Sequence, residues 1–329
     1  MLFLSEKDIK RFYTMQDAIA ADEIAYKALS AGDCVVPLRI NIDIPKHNGQ
    51  SLYMPAYVKS IDAIGIKIVS VFPDNVKLGK PAVPAQIALL EGSTGEVICI
   101  MDGTYVTQVR TGAAAGAATK YLAREDASAA ALFGTGGQAM AQLEALLAVR
   151  KLKTVKVFDI NAERKEAFVK AANIELERYG AKILAAESSD EAIYNADIIT
   201  AVTTSKRPVF DGRKVKKGCH INGVGAYTPE MQELDEYLIT HADKVYVDSY
   251  TGALAEAGDL IIPIQKGTFS KEKVTGEIGE LLLGKVPGRV SADEITVFNT
   301  VGTAVLDVVT AHSIYHKALE MGIGTKIDM

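Results

Sequence analysis

Ala129-Ala130-Ala131-Leu132-Phe133-Gly134-Thr135-Gly136-Gly137-Gln138-Ala139 is the stretch that decides the fold of this chain. A small apolar run breaks here into the spacing G-x-G-x-x-A, the fingerprint of a strand-to-helix turn that binds a dinucleotide. Each small residue answers a separate demand. Gly134 lets the chain turn tightly off a strand, Gly136 lets the backbone come close to a pyrophosphate, and Ala139 lets the next helix pack closely on the sheet. That helix would turn free N–H groups and its positive dipole end toward the phosphates, with Thr135, Gly137 and Gln138 completing the loop. By itself such a run is weak evidence, because Gly and Ala are common. Its surroundings strengthen it: residues 130–133 read as a buried strand, 140–150 as a helix free of Gly and Pro, and 154–159 as a second strand ending in an acid. Asp159 stands twenty residues beyond Ala139, where a carboxylate would accept hydrogen bonds from an adenosine ribose. The alternative reading is a Gly-rich turn with no ligand.

Outward from this turn, strand and helix keep alternating from residue 128 to about 225. Residues 162–179 read as a long helix in which Phe168, Ala171, Ala172 and Ile174 share a face, closed by Gly180. Residues 181–185 read as a strand, 189–195 as a short helix and 197–202 as another strand, with 220–225 and 244–248 as the remaining strands. Such alternation implies a doubly wound parallel sheet. The first 120 residues differ. After helical stretches at 5–12 and 15–31, strand-like segments at 51–58, 63–72, 85–91 and 96–101 are separated by Gly, Pro or Asp turns, with Gly92-Ser93-Thr94-Gly95 as a hairpin loop. This reads as a second, mostly antiparallel domain. A helix over 105–123, its Ala-rich half tightly packed, links the two, and an apolar-faced helix over 301–321 returns to the first.

At 329 residues the chain is long enough for about two domains, and its 48% hydrophobic and 23% charged residues are ordinary for a globular protein. A net charge of -5 with no dense Lys/Arg block offers no footprint for nucleic acid. Charges begin at Glu6, too early for a signal peptide, and no apolar run approaches the roughly 18 residues of a membrane span, so cytoplasmic residence is expected. Cys34, Cys99 and Cys219 lack C-x-x-C spacing and suit reduced, buried thiols. The five histidines form no ligand pair of the H-E-x-x-H kind, so no metal site is expected.

Three cations of the first domain sit in unusual settings. Lys67 lies in the apolar strand Gly65-Ile66-Lys67-Ile68-Val69, where an ammonium is costly unless it is paired or faces a site. Arg110 opens an Ala-rich helical run with few other charges, where a guanidinium could grip a carboxylate bidentately. Arg39 follows Val36-Pro37-Leu38 on another strand-like stretch. The plain alternative is that all three are rim residues reaching for solvent.

The combination of Met54-Pro55, Gly65-x-Lys67, Pro84-Ala85, the hairpin at 91–96, Arg110-Thr111-Gly112-Ala113, Gly134-x-Gly136-x-x-Ala139, Asn222-x-Val224-Gly225-Ala226, Glu233-Leu234-Asp235 and Val301-Gly302-Thr303-Ala304 resembles the ornithine cyclodeaminase/mu-crystallin family over nearly the whole chain. The resemblance implies a homodimer whose subunits pair a Rossmann domain, residues 125–300, with a discontinuous α+β substrate-binding and dimerisation domain, residues 1–124 and 301–329. It implies hydride transfer between a nicotinamide and the α-carbon of a small amino or imino acid. Members include ornithine and lysine cyclodeaminases, archaeal-type alanine dehydrogenases and reductases of cyclic ketimines such as pyrroline-2-carboxylate. Carried onto this sequence, it gives Arg110 the substrate carboxylate, with Arg39 as a second clamp. It makes Lys67 the partner that binds the carboxylate or relays a proton, and adds Thr111, Val224, Val301 and Gly302 to the cofactor contacts. Lys67 beside Arg110 in an apolar surround should lose its proton more easily than a free lysine. Asp159 resembles NAD(H)-using members, because a carboxylate repels the 2′-phosphate of NADP(H); Arg164, five residues on, argues the other way.

Two positions depart from the cyclodeaminases, which carry an aspartate where Tyr227 stands and a glutamate where Leu52 stands. A phenol of pKa near 10 is a poor base for stripping an ornithine ammonium, though a suitable acid toward an imine nitrogen. Tyr227 is therefore a candidate catalytic residue beside Lys67, its alternative being a packing role. The leading expectation is an NADH-dependent imino-acid reductase or the related amino-acid dehydrogenase. Behind it stand an ornithine cyclodeaminase with bound NAD and, third, a mu-crystallin-like binding protein.

Overall fold

The computed structural model describes residues 1–328. In chain order it runs through β1 (Leu2–Leu4), α1 (Glu6–Lys10), α2 (Met15–Ser30), β2 (Cys34–Val35), β3 (Ile40–Ile44), β4 (Gly49–Val58), β5 (Ala63–Val71), β6 (Ala85–Leu90), β7 (Val97–Asp102) and α3 (Gly103–Leu122). Then come β8 (Ala129–Phe133), α4 (Ala139–Val149), β9 (Thr154–Phe158), α5 (Ala162–Glu175), β10 (Lys182–Ala185), α6 (Ser189–Ile193), β11 (Ile198–Ala201), β12 (His220–Gly223) and α7 (Glu236–His241). The chain ends with β13 (Lys244–Val247), α8 (Tyr250–Glu256), α9 (Gly258–Gln265), β14 (Gly276–Glu277), α10 (Ile278–Leu282), β15 (Thr296–Asn299), α11 (Ala304–Met321) and β16 (Thr325–Lys326). Packing divides it into two units, Met1–Arg110 together with the segment from Thr303 onward, and Thr111–Gly302. The sequence reading sets the boundaries after residues 124 and 300, whereas the structure sets the first inside α3. Twenty residues without proline make an unbroken helix there, so no linker marks the change of unit.

The first unit is a sheet of order β16-β1-β7-β6-β5-β4-β2, with β3 also paired to β4. Its ladders are antiparallel except for β1 with β7. Period-two alternation aims Leu52, Met54, Ala56 and Val58 of β4, and Ala63, Gly65, Lys67 and Val69 of β5, at the buried face. Helix α11 packs on that face against β4, β5 and β6, and against α2. Gly65 has to be glycine, because a Cβ would stand 2.7 Å from Ala88 O. Arg39 is not on a strand: the chain is irregular from Val36 to Arg39, and β3 begins at Ile40. Pro37 has no N–H to give a ladder.

The second unit is a sheet of order β10-β9-β8-β11-β12-β15-β13-β14, all of whose ladders are parallel. The chain leaves β8 toward β9 and β10, then returns to β11 on its other side, which makes the carboxyl ends of β8 and β11 the switch point where a ligand crevice forms. One face buries Leu132, Leu143, Val155 and Ile198, the other Phe133, Ile199, Leu238 and Val297. Strand β15, which the sequence reading does not contain, lies between β12 and β13; Thr-Val-Phe-Asn is too short and too mixed to show a period. On α5 the buried side is Lys165, Ala172 and the partly buried Phe168, while Ile174 is 69% exposed. Two residues beyond the buried Ala172, Ile174 has turned about 200° to the opposite face of a 3.6-residue helix, so the expected shared face is wrong there. Ala113 to Ala118 are all buried, Gly116 included, and a Cβ on Gly112 would strike the backbone carbonyl of Ala141, so α3 and α4 touch at close range.

Candidate active site

The glycines of the β8–α4 turn do different things. Gly134 donates its N–H to Phe158 O at 2.9 Å, tying the turn to β9. Its φ is +95°, and a Cβ would lie 2.8 Å from Val202 O and 2.9 Å from Thr203 Cγ2, so glycine is what lets the loops after β8 and β11 approach. At Gly136 a Cβ would meet nothing within 4 Å. Its backbone faces open space, beside the exposed Gly137, as the approach of a pyrophosphate requires. Helix α4 starts at the fully buried Ala139, and no side chain caps its N-terminus. The Oε1 of Gln138, the N-cap residue, is buried without a hydrogen-bond partner. An uncapped, positive helix end over an open glycine is a place for an anionic bridge, and these residues fit a dinucleotide.

Asp159 lies just past β9 with its side chain 5% exposed. Its Oδ2 accepts from Thr135 N at 2.9 Å and Thr135 Oγ1 at 2.7 Å, and its Oδ1 from Asn161 N at 2.8 Å. Burial pushes the carboxyl up, but the bonds from Asn161 and Thr135 and the Arg164 guanidinium outweigh it and hold it below the ordinary carboxylate range. It is an anion. Thr135 therefore braces the turn through Asp159, and Arg164 stands over the same carboxylate at 3.4 Å.

The loops beyond the other strands are set by buried acids. Val224 donates its N–H to Ala201 O at 2.9 Å. Asp248 takes the N–H groups of Val301 and Gly302 at 3.0 and 2.8 Å and the Thr300 hydroxyl at 2.7 Å, so these amides anchor their own loop. Glu233, fully buried, accepts from the backbone of Thr203 and Gly225, the loops after β11 and β12. Asp259 accepts from Glu233 N and Leu234 N at 2.7 and 2.9 Å and from Asn299 Nδ2 at 3.0 Å. Sequence reasoning missed these roles; only Glu233 entered it, as part of a motif. Thr111 O accepts from Gln142 Nε2 at 2.8 Å, a bond from α4 to α3. Tyr227, half-buried after β12, packs against the core of this unit.

In the first unit the structure brings Lys67 and Arg110 together, neither reaching solvent: they are 1% and 6% exposed. What joins them is Asp307 of α11, fully buried. Lys67 Nζ lies 2.8 Å from both Asp307 oxygens, and Arg110 Nε 2.8 Å from Oδ1, an ion pair whose N–H is not aligned as a hydrogen bond. Asp22 of α2 completes the group, its Oδ1 accepting from Thr310 Oγ1 at 3.2 Å and its Oδ2 buried without a partner. Burial pushes the Asp22 carboxyl well above the carboxylate range, against the pull of Arg110. Burial and then Arg110 bring the Lys67 ammonium down to about 7, against the pull of Asp307, with the half-buried Arg39 adding its repulsion. Lys67 and Arg110 share the one Asp307 carboxylate, and with Asp22 pushed toward its neutral form the group is short of negative charge, which suits one further carboxylate. Asp307 and Asp22 were missed, although Asp307 is an acid inside the apolar helical run Ala304-Val305-Leu306-Asp307-Val308-Val309 and Asp22 lies on the buried face of α2 with Ala18, Ile19, Ala21 and Ala25.

The profile of the ornithine cyclodeaminase/mu-crystallin family matches residues 1–322. The Delta(1)-pyrroline-2-carboxylate reductase of Bacillus cereus is 37% identical over 328 residues, covering 100% of both chains. The structure of Thermococcus litoralis Delta(1)-pyrroline-2-carboxylate reductase in complex with NADH and L-proline superposes with a TM-score of 0.94 at 40% identity, over 99% of this chain and 100% of that one. An archaeal alanine dehydrogenase dimer with bound NAD gives a TM-score of 0.91 at 34% identity, over 100% and 99%.

Proposed function

Since this chain belongs to the ornithine cyclodeaminase/mu-crystallin family, we propose that it is an NAD(H)-dependent reductase of an imino acid, a cyclic ketimine such as pyrroline-2-carboxylate, with the related amino-acid dehydrogenase reaction as its counterpart. The reductases among its relatives, one of them holding NADH and L-proline, support the substrate, and the NAD-bound alanine dehydrogenase supports the counterpart. The observation that carries the reading is the buried pair Lys67 and Arg110 on a single shared carboxylate.

Arg110 holds the substrate carboxylate, with Arg39 as a second clamp. Fixing the carboxylate fixes the α-carbon, and such positioning lowers a barrier by roughly 7–11 kcal/mol in favourable cases. Lys67, with its affinity for protons brought near neutrality, delivers a proton to the imine nitrogen and regains one from solvent. The Tyr227 hydroxyl is the other candidate donor. NADH, when bound, supplies the hydride. The open backbone at Gly136 and the α4 N-terminus take its pyrophosphate, and Asp159 takes the ribose and disfavours NADP(H). Leu52 is buried and apolar and Tyr227 is a phenol, so the carboxylate bases that cyclising ornithine would call for are missing from both positions.

The outer face of the first unit's sheet presents a cross-strand row of Ile40, Tyr53 and Ile68, with Ile40 60%, Ile42 50% and Ile68 41% exposed. A patch of this kind marks an interface, and a second copy of the chain covers it in the homodimer. Three free cysteines suit the cytoplasm, and no helix among the described residues is long and apolar enough to cross a membrane.

The test is NADH oxidation against a panel of cyclic imines and of 2-oxo acids with ammonia, beside ammonia release from ornithine with NAD⁺. Turnover of pyrroline-2-carboxylate with little ammonia release is expected. Proline formed from ornithine without net NADH consumption would overturn the reading. Calorimetry should rank NADH above NADPH; the reverse order would put a 2′-phosphate on Arg164.

A further inference from the structure

We propose that Asp307 is a positioning residue of the reaction: one carboxylate, reaching in from α11, fixes the place of the Arg110 guanidinium and keeps the Lys67 ammonium charged. The proposal rests on the reductase reading. Lys67 projects from β5 between Met54 and Ile87, its register partners on β4 and β6, which offer no polar group. Its Nζ donates to Asp307 Oδ1 and lies equally near Oδ2, which accepts no hydrogen bond, and Arg110 meets the same carboxylate through Nε. The other charged groups facing them are Asp22 from α2 and Arg39 from the segment before β3. Asp22 meets the Thr310 hydroxyl, one helical turn beyond Asp307, so α11 also presents the group that steadies the second acid.

This arrangement has a chemical consequence. In the reduction a hydride adds to the α-carbon, the C=N π pair becomes a lone pair on nitrogen, and a proton leaves Lys67 Nζ for that nitrogen, to be replaced from solvent. The step needs Lys67 charged when the substrate arrives. Burial and the positive charges of Arg110 and Arg39 all work against this; Asp307 is the group that works for it. It also occupies Arg110 Nε at one place, which fixes where the substrate carboxylate is received.

The test uses the full-length protein with Asp307→Asn and Asp307→Glu. The amide keeps the size of the side chain and removes its charge. The alkaline limb of the kcat profile in Asp307→Asn should move to lower pH by about one unit or more, with kcat down about ten-fold at alkaline pH and recovering on acidification. KM for the imino acid should hold or fall, because Arg110 has lost a competing anion. Asp307→Glu should keep the limb near its original place and raise KM, the charge being retained and the guanidinium displaced. A merely structural carboxylate would lower kcat evenly across pH in both variants, and that result overturns the proposal. A readout independent of turnover is the Cε resonance of Lys67 in protein carrying ε-¹³C lysine, identified by its loss in Lys67→Met. Its titration should shift to lower pH in Asp307→Asn, and an unmoved titration overturns the proposal. Should Asp307→Asn fail to fold, Asp307→Glu decides alone: unchanged KM and kcat there overturn it. Should the native protein reduce no imine, the reductase reading falls while the resonance still reports whether Asp307 governs Lys67.

Discussion

The most deeply buried acids of the two units are met in different ways. In the first, Lys67 and Arg110 are met by the side chain of Asp307, an ion group with cations in excess. In the second, Glu233, Asp248 and Asp259 are equally buried, yet they are met by backbone N–H groups, the Thr203 and Thr300 hydroxyls and the Asn299 amide. The first arrangement leaves a charge to offer a ligand. The second turns its acids inward, onto the loops that follow β11, β12 and β15. A substrate carboxylate is recognised by a guanidinium and a pyrophosphate by an open glycine, and the buried acids differ accordingly.

The largest effect that tests this contrast is on the side-chain half. Arg110→Ala removes one cation and leaves Asp307 sharing only Lys67. Truncating one partner of a desolvated pair costs on the order of 2–5 kcal/mol, so kcat/KM for the imino acid should fall by roughly 30- to several-thousand-fold. Calorimetric affinity for NADH should change little, since the role proposed for Arg110 is on the substrate. An unchanged kcat/KM would take the carboxylate away from Arg110.

The backbone half is broken by two alanines. Gly136→Ala adds a methyl that meets no protein atom, so the melting temperature should hold while NADH affinity falls by about ten-fold or more, the methyl standing where the pyrophosphate approaches. Gly134→Ala forces a left-handed φ of +95° on a residue with a Cβ and drives it against Val202 and Thr203, with strain of order 1–3 kcal/mol. That variant should lose stability as well. If Gly136→Ala melts like Gly134→Ala, or binds NADH as well as the native protein, the division of labour between the two glycines is wrong.

How far the sequence could be read follows the same divide. The turn between β8 and α4 and the strand after it were legible because their signals are local: Gly134, Gly136 and Ala139 lie within six residues, and Asp159 at a fixed distance beyond them. The parallel sheet followed from alternation, except β14 and β15, whose two and four residues carry no period. In the other half Lys67 and Arg110 stood out as cations in apolar runs, but their partner lies 240 residues from Lys67, on a helix whose apolar stripe says only that it is buried. A lone acid within such a stripe, as at Asp22 and Asp307, is the signal that could have found them. The boundary inside α3 left no break to read, since the helix runs through it without a turn or a proline.

The smallest effect concerns the acids of the second unit and reads out as pH dependence of stability. Burial, and then the neighbouring Asp259, raise the Glu233 carboxyl above its ordinary range, against the bonds it accepts from Thr203 and Gly225. Burial likewise raises Asp259. The folded protein therefore holds these protons more tightly than the unfolded chain. By linkage, this contribution to stability is fully present below the ordinary carboxylate range and is lost as pH rises through the raised folded values. Glu233→Gln cannot titrate, and it relieves Asp259 of a neighbouring charge. Its melting temperature should decline less steeply with rising pH, converging on the native protein under acid conditions. A difference in slope worth about 1 kcal/mol corresponds to roughly 2–4 °C in a unit of this size. The amide cannot reproduce two accepting oxygens toward Thr203 and Gly225, so NADH affinity should weaken even where stability does not, which separates loop placement from folding. Equal pH slopes for the two proteins would mean that Glu233 ionises in the fold as readily as in the open chain, and the contrast between the units would then lie in partners alone.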